Sequence, residues 1–331
     1  MHYNIPDELR QAALNDIGPQ GRPRPWRQHK AAAQLLAAAY AYQGNEQKAA
    51  RVLACADTLV YTQTEEGKLH LHSAAFCRVR LCPICQWRRS LKIYGQTREI
   101  TNYLAQQAQA AGKRPPEYLM LTLTIPNVPG SWLPQTFTHL HKSWQRLCQL
   151  DQVKTAVRGW MRTTELTYNS DTDTWHPHIH AVLAVNSSYF TSRAYIRRDT
   201  WLQLWQQSTR QKNITQVDIR RTYGSPEHAA AEVAKYAAKP SDYLDPSDVD
   251  RMDRLLATLD TALAHRRFVS WGGCMADAHK ALALDDAENG DLVHTGADED
   301  AAAAGNLSVW DWAPGVRLYL RRMDNAKDLT P

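Results

Sequence analysis

The chain has 331 residues, 44% hydrophobic and 22% charged, enough for about two globular domains of roughly 100 to 200 residues and unlike a disordered chain, a collagen repeat or a small disulfide scaffold. No apolar run approaches the roughly 18 to 20 residues of a membrane span, and the opening MHYNIPDELRQAAL lacks the layout of a secretory leader, so a cytoplasmic chain with no membrane partner is expected. The formal charge of +5 is uneven: residues 281–331 carry 4 basic and 10 acidic side chains, against 35 and 24 in residues 1–280. Such a basic body suits a polyanion, because cationic side chains that neutralise phosphates release condensed counterions; it equally suits a plain solvated surface.

Residues 28–53 are rich in alanine and glutamine with apolar residues at helical spacing, which predicts one or two helices in an N-terminal region, 1–54. Short strand-like pieces at 59–61 and 68–72 then lie among cysteines, followed by the basic CRVRLCPICQWRRSLKIY and a proline-free helix to about residue 111. Residues 55–112 read as a separate cysteine-rich module. In YLMLTLTIP (118–126), Leu119, Leu121, Leu123 and Ile125 alternate with Met120, Thr122 and Thr124, and this period of two predicts a strand. A helix at 139–148 precedes two strands, 159–168 and 176–185, joined by the polar turn NSDTDT into a hairpin. A helix carrying Trp201 and Trp205 and a strand at 216–220 follow. Ser225, Pro226 and Glu227 supply a cap, a first-turn proline and an acid for a helix at 226–239 that stops before Pro240. Residues 113–275 make the second domain. The acidic segment 281–306 is expected to be a loosely ordered loop before a last aromatic strand, within a terminal region 276–331.

Three constellations carry chemistry. On the second hairpin strand His176, His178 and His180 share one face, while Ile179, Ala181, Leu183 and Val185 share the other and belong to a core. Two imidazoles one residue apart form a platform for a divalent metal. Glu165, on the partner strand and roughly opposite His178, is the candidate third ligand. That donor set suits Mn2+ or Mg2+ acting as a Lewis acid; the plain alternative is surface histidines beside a turn.

Glu232, Tyr236 and Lys239 fall at i, i+4 and i+7, on one face of the capped helix. A phenol becomes a nucleophile when a cation favours its phenolate, and the ester that it forms keeps phosphodiester energy. Tyr236 equally suits packing in the core.

The third constellation is Cys55, Cys77, Cys82 and Cys85, with 21, 4 and 2 residues between them, a pattern that fits a structural tetrathiolate Zn2+ site, with His70 or His72 as substitutes for Cys55. Four reduced core cysteines are the alternative. Around them Arg78, Arg80, Trp87, Arg88, Arg89 and Lys92 read as a DNA-gripping element with an aromatic platform, although Trp87 also suits internal packing. The pairs Arg197-Arg198, Arg220-Arg221 and Arg266-Arg267 are further candidates for phosphate or base contact.

These residues together resemble the rolling-circle replication initiators of small Gram-positive plasmids, within the HUH endonuclease superfamily. YLMLTLTIP is similar to the first motif strand of that family, WHPHIHAVLAV to its His-hydrophobic-His motif, AEVAKYAAKPSDY to its catalytic-tyrosine helix and RLCPICQWRRS to its upstream cysteine motif. The resemblance spans about residues 50 to 275. It implies an α+β fold in which an antiparallel, RRM-like sheet carries the HUH motif, preceded by the zinc module. It also implies a metal-dependent enzyme that nicks plasmid origin DNA, single-stranded or in a cruciform, and calls on host helicase and polymerase. Tyr236 would be the nucleophile, Glu232 the acid that activates the terminating water, His178, His180 and Glu165 the metal ligands, and Lys239 a stabilising cation; Tyr243, seven residues beyond Tyr236, stays open as a second nucleophile. A relaxase or transposase of the same superfamily would share these residues, whereas a zinc-bearing DNA-binding regulator would need only the cysteines and arginines.

Overall fold

A computed structural model of the chain describes residues 7–18, 21–65, 67–222, 230, 238–296 and 305–322. Along the chain come α1 (Asp7–Gln11), α2 (Trp26–Tyr42), α3 (Glu46–Leu53), β1 (Thr58–Gln63), β2 (Leu69–Ala74) and α4 (Pro83–Ala110). Next are β3 (Glu117–Thr124), α5 (Leu133–Gln149), α6 (Asp151–Ala156), β4 (Val157–Asn169), β5 (Thr174–Val185), α7 (Arg198–Thr209) and β6 (Val217–Arg221). The remaining described elements are α8 (Pro240–Tyr243), α9 (Val249–Leu263), β7 (Val269–Gly273), α10 (Cys274–Ala281), β8 (Asn306–Ala313) and β9 (Leu318–Arg321). The architecture is therefore α+β, with two antiparallel sheets. Among the described residues no helix is long and apolar enough to cross a membrane.

The chain divides into two compact units. One comprises residues 1–88, 292–294 and 298–331, and the other 89–291 and 295–297, so the division falls inside α4. In the first unit the sheet order is β2-β1-β8-β9, and the segment at the chain's end pairs with β1, Val60 standing opposite Val309. The residues read as one or two helices form two, α2 and α3, with the Asn45 side chain accepting from the Lys48 backbone N–H at the start of the second. Asp16, almost fully buried, accepts from Trp26 Nε1 and Tyr61 Oη, both at 2.8 Å, and from Arg24 at 3.2 Å. A buried carboxylate needs such partners.

The second unit holds a five-stranded sheet in the order β6-β3-β5-β4-β7. The β4–β5 hairpin closes through Asn169, whose Oδ1 accepts from the Asp171 and Thr172 backbone N–H groups at 3.0 and 3.1 Å. Asp173 then takes a left-handed conformation, φ +50°, which the short polar residues of such turns tolerate. Alternation along the strands sorts the two faces. Leu119, Leu121, Leu123, Ile179, Ala181, Leu183 and Val185 pack with Leu140 and Trp144 of α5 and Trp201 and Trp205 of α7. On the opposite face Met120, Met161, Val182 and Ala184 pack with Ile93 and Ile100 of α4 and Met275 and Ala278 of α10. Each such aliphatic side chain contributes roughly 1.5 to 3 kcal/mol when removed from water. The second face is apolar only over part of its length: His178, His180, Glu165 and Thr122 continue it.

The acidic segment differs from the expected loose loop over residues 285–296. Arg89 Nε donates to the Glu288 carbonyl, Lys92 Nζ to the Asp285 carboxylate and the Asp291 carbonyl, and Gln96 Nε2 to the Asp285 carbonyl. Glu288, buried itself, accepts from the Phe268 and Val269 backbone N–H groups. Long-range pairing with α4 orders a sequence whose own composition favours solvent.

Candidate active site

The centre of the site is set by strand register. Glu165 on β4 stands directly opposite His178 on β5, and on the other side Thr122 and Thr124 of β3 stand opposite His180 and His178. Because paired residues on neighbouring strands point to one face, these side chains converge. Glu165 Oε2 lies 3.2 Å from His178 Nε2 and 2.9 Å from His180 Nε2. All three residues are buried. Burial pushes the Glu165 carboxyl up, but hydrogen bonds and positive charge from His178 and His180 outweigh this and hold it well below the usual carboxylate range.

The outward nitrogens fix how the rings face the centre. His178 Nδ1 lies 3.0 Å from the His176 carbonyl, which can only accept, so Nδ1 carries a proton, and in the neutral ring Nε2 turns its lone pair to the centre. His180 Nδ1 lies 3.1 Å from Thr122 Oγ1, a hydroxyl that can accept from it or donate to it. Neutral rings of that tautomer bring two lone pairs and a carboxylate oxygen to one point, where a cation would satisfy all three; rings protonated on both nitrogens instead donate Nε2–H to Glu165. Thr163, buried and paired with His180 in the ladder, also has a hydroxyl without a hydrogen-bond partner. The donor set fits a divalent cation with room for oxygen ligands. His176 shares the face, with its ring 5.3 Å from that of His178, and contributes its carbonyl rather than a ligand nitrogen.

The approach of the chain beyond the expected tyrosine helix is equally direct. Ala238 forms a parallel bridge with Leu166, next to Glu165, and Lys239 Nζ lies 3.7 Å from Glu165 Oε1. Lys239 was expected on a helical face shared with Glu232 and Tyr236. It is instead extended, φ −73° and ψ 135°, as a residue before proline favours, and reaches Glu165 from the strand-like segment. Tyr236 and Glu232 lie outside the described residues. Tyr243 is only 1% exposed, which withdraws its hydroxyl from attack on a polymer in solution.

In the first unit the four cysteines gather. Cys55 and Cys77 each place Sγ 3.6 Å from Cys85 Sγ, and Cys82 Sγ lies 3.7 Å from Cys55 Sγ. A disulfide requires about 2.05 Å, whereas a tetrahedral ion with metal–sulfur bonds of about 2.3 Å sets sulfurs about 3.8 Å apart. Backbone N–H groups of Cys77 and Arg78 point at Cys55 Sγ and Cys85 Sγ at 3.4 and 3.3 Å, and the buried Lys30 ammonium donates to the Cys55 carbonyl at 2.7 Å. Burial, with the neighbouring thiols, raises the Cys82 thiol well above its ordinary value, so a metal entering the cluster displaces protons. The four thiols fit a structural metal ion; His70 and His72 are not part of the group.

The model of a family described as "Replication protein" matches residues 68–320 of the chain. The chain belongs to the replication-protein family. This replication protein is 35% identical to "Protein rep" of Bacillus amyloliquefaciens, over 93% of its own length and 96% of the relative's. It is 36% identical to "Protein rep" of Streptococcus pneumoniae serotype 2 over 92% and 94%, and 33% identical to that of Lactiplantibacillus plantarum over 90% and 96%. No solved structure matches it. The resemblance carried by the four motifs is thus met at the level of the family.

The basic residues of this replication protein separate into two groups. Arg88 and Lys92 are 1% and 2% exposed, Trp87 and Arg89 6% and 7%. Arg88 donates to the carbonyls of Leu292 and Val293 at 2.8 and 2.7 Å, and Trp87 packs edge-on to Trp26 with His29 stacked on it. These four residues, read from sequence as DNA contacts, are interior: the acidic segment supplies Arg88, Arg89 and Lys92 with the acceptors that phosphate was expected to supply, and Trp87 takes the internal packing that was its alternative. Arg78 is exposed, Arg80 half-buried, and Arg220 and Arg221 lie exposed on the edge strand β6, where Arg220 pairs with Asp218 and Arg221 with Glu117. The expectation missed Thr122. Its signal was present: the polar members of YLMLTLTIP fall on the same alternate face as the histidines.

Proposed function

We propose that this replication protein is a plasmid rolling-circle initiator that nicks one strand at its origin in the bacterial cytoplasm. The observation that carries this reading is the convergence of Glu165, His178 and His180, with Lys239 3.7 Å from the same carboxylate. Tyr236 stands two residues before Ala238, a reach of at most about 7 Å along the chain from a residue bridged to Leu166. That reach supports Tyr236 as the nucleophile on an HUH-type, RRM-like sheet.

In this account Tyr236 Oη attacks the scissile phosphorus in line, the P–O3′ bond breaks, and the 3′ oxygen leaves as a hydroxyl from which host polymerase extends behind a host helicase. The phenolic proton passes to solvent as the 5′-phosphotyrosyl ester forms, the departing 3′ oxygen takes a proton from solvent, and Lys239 stabilises the phenolate. His178, His180 and Glu165 would hold Mn2+ or Mg2+, which would supply Lewis-acid polarisation of the phosphate. Glu232 later removes a proton from the water that releases the product. Zn2+ in the four-cysteine cluster holds its segment in place, and Arg78, Arg80, Arg220 and Arg221 serve as phosphate contacts.

The test is a nicking reaction on supercoiled origin plasmid with Mn2+. A relaxed circle carrying covalently bound protein is expected; intact plasmid throughout would overturn the proposal in favour of a regulator that only binds DNA.

A further inference from the structure

Beyond Glu165, the outer edge of β4 runs free of β7, whose ladder ends at Thr163. Residues 238–242 lie along that edge: Ala238 bridges Leu166, and Asp242 Oδ2 accepts from the Tyr168 backbone N–H. Between this edge and α8 and α9 is a cavity of about 240 Å3, lined by Tyr168, Ser170, Ser241, Asp242, Asp245 and Arg251, with the buried Tyr243, Met252 and Leu255 as its inner wall. It is smaller than a drug-sized pocket and its wall combines an aromatic ring, aliphatic side chains and hydrogen-bonding groups, as a pocket for one planar heterocycle requires. Tyr168 follows Glu165 by three residues, roughly 10 Å at about 3.3 Å per residue, so its side chain points to the opposite face of β4. A DNA strand held at the proposed centre would reach the cavity over the free strand edge that Lys239 and Asp242 line, a few nucleotides away.

Asp242 decides which heterocycle fits. Its two hydrogen bonds, from Tyr168 N and Ser241 Oγ, are both 3.5 Å long, so a half-buried carboxylate that can accept about four bonds is loosely satisfied. Burial raises its carboxyl above the ordinary value, the cost of that poor solvation. Asp245, in contrast, is already paired with Arg251 and with Ser247 at 3.0 Å. The ring of Tyr168 is held against Trp175, centroids 4.8 Å apart, and its hydroxyl donates to Asp173 at 2.6 Å, so the wall is fixed before a base arrives. Guanine alone among the four bases presents two adjacent donors, N1–H and the N2 amine, that match the two oxygens of a carboxylate.

We propose that the Tyr168–Asp242 cavity seats a single unstacked guanine of the DNA strand, with Asp242 accepting from N1–H and N2–H. The proposal rests on the nicking reading for its location, but its test needs no cleavage. Fluorescein-labelled dT12 is compared by anisotropy with the same oligonucleotide carrying one dG, one deoxyinosine or one dA at its centre, using the full chain. The dG strand is expected to bind about 10-fold tighter than dT12, deoxyinosine between them and dA no better than dT12. Asp242→Asn is expected to erase the dG advantage while dT12 affinity stays unchanged, which also certifies its fold. Equal binding of dG, deoxyinosine and dT12, or a dG preference that survives Asp242→Asn, would overturn the inference. Because deoxyinosine alters the DNA and not the protein, a variant that misfolds leaves the test intact. A chain that fails to nick but shows this pattern would refute the nicking proposal and not the pocket.

Discussion

Glu165 and His178 face each other across the β4–β5 ladder, and the carboxylate oxygen that meets His178 Nε2 also meets His180 Nε2. One oxygen shared by two imidazoles whose outer nitrogens are already engaged makes Glu165 the hinge of the site's affinity for a cation. Glu165→Ala is expected to weaken Mn2+ binding by more than 100-fold in calorimetry or by the free-Mn2+ EPR signal. Unchanged binding would remove Glu165 from the ligand set.

Thr122 acts through His180. With Thr122→Val the hydrogen-bond partner of His180 Nδ1 disappears, and loss of such an outer partner costs typically 10- to 100-fold in metal affinity. Thr122→Ser keeps the hydroxyl and should restore Mn2+ binding to within a few-fold of the parent. The nitrogen chemical shifts of His180 should report a mixed tautomer in the valine variant alone.

The cysteine cluster predicts one tightly held zinc per chain by metal analysis. Cys85→Ser is expected to lose it and to lower the first thermal transition, since a structural tetrathiolate contributes folding free energy directly. Retention of zinc in that variant would point to a different fourth ligand.

Arg88 and Arg78 should part company. Arg88→Ala takes the Arg88 donor from one buried and one part-buried carbonyl, a loss of about 1 to 3 kcal/mol for the buried one, and should lower stability without altering the salt dependence of DNA binding. Arg78→Ala should reduce the slope of log K against log salt by about one.

His141 gives a pH signature independent of the metal. Burial, with Arg162 and Arg266 nearby, pushes it down to about 3, below its unfolded value of 6.5. The unfolded chain therefore takes up the proton first as pH falls, so stability is full above 6.5 and is lost from there toward 3, by about 2 kcal/mol between pH 7 and pH 5. Denaturant melts of His141→Gln, which can still bond Thr164 Oγ1, should show a correspondingly shallower acid loss.

The central strands and their faces were legible because alternation is local: Leu119 to Ile125 and His176 to Val185 each carry their period within a few residues. The pairing of Glu165 with His178 was readable too, since a short polar turn fixes hairpin register. The cysteine group followed from spacing alone. What sequence did not carry was the partner of α4. Arg88, Arg89 and Lys92 read as a phosphate grip because their acceptors, at residues 285–293, lie about two hundred positions away, and no periodicity links the two segments. Lys239 was misplaced for a smaller reason: the helical face was extended through the residue before Pro240, where a proline favours extended backbone.

The most direct measurement is mass spectrometry of the peptide that stays attached to a nicked, 3′-phosphorothiolate-blocked oligonucleotide in the presence of Mn2+. The account predicts a 5′-phosphoryl adduct on Tyr236 that vanishes in Tyr236→Phe while DNA binding persists. An adduct on another residue, or one that survives in Tyr236→Phe, would contradict it.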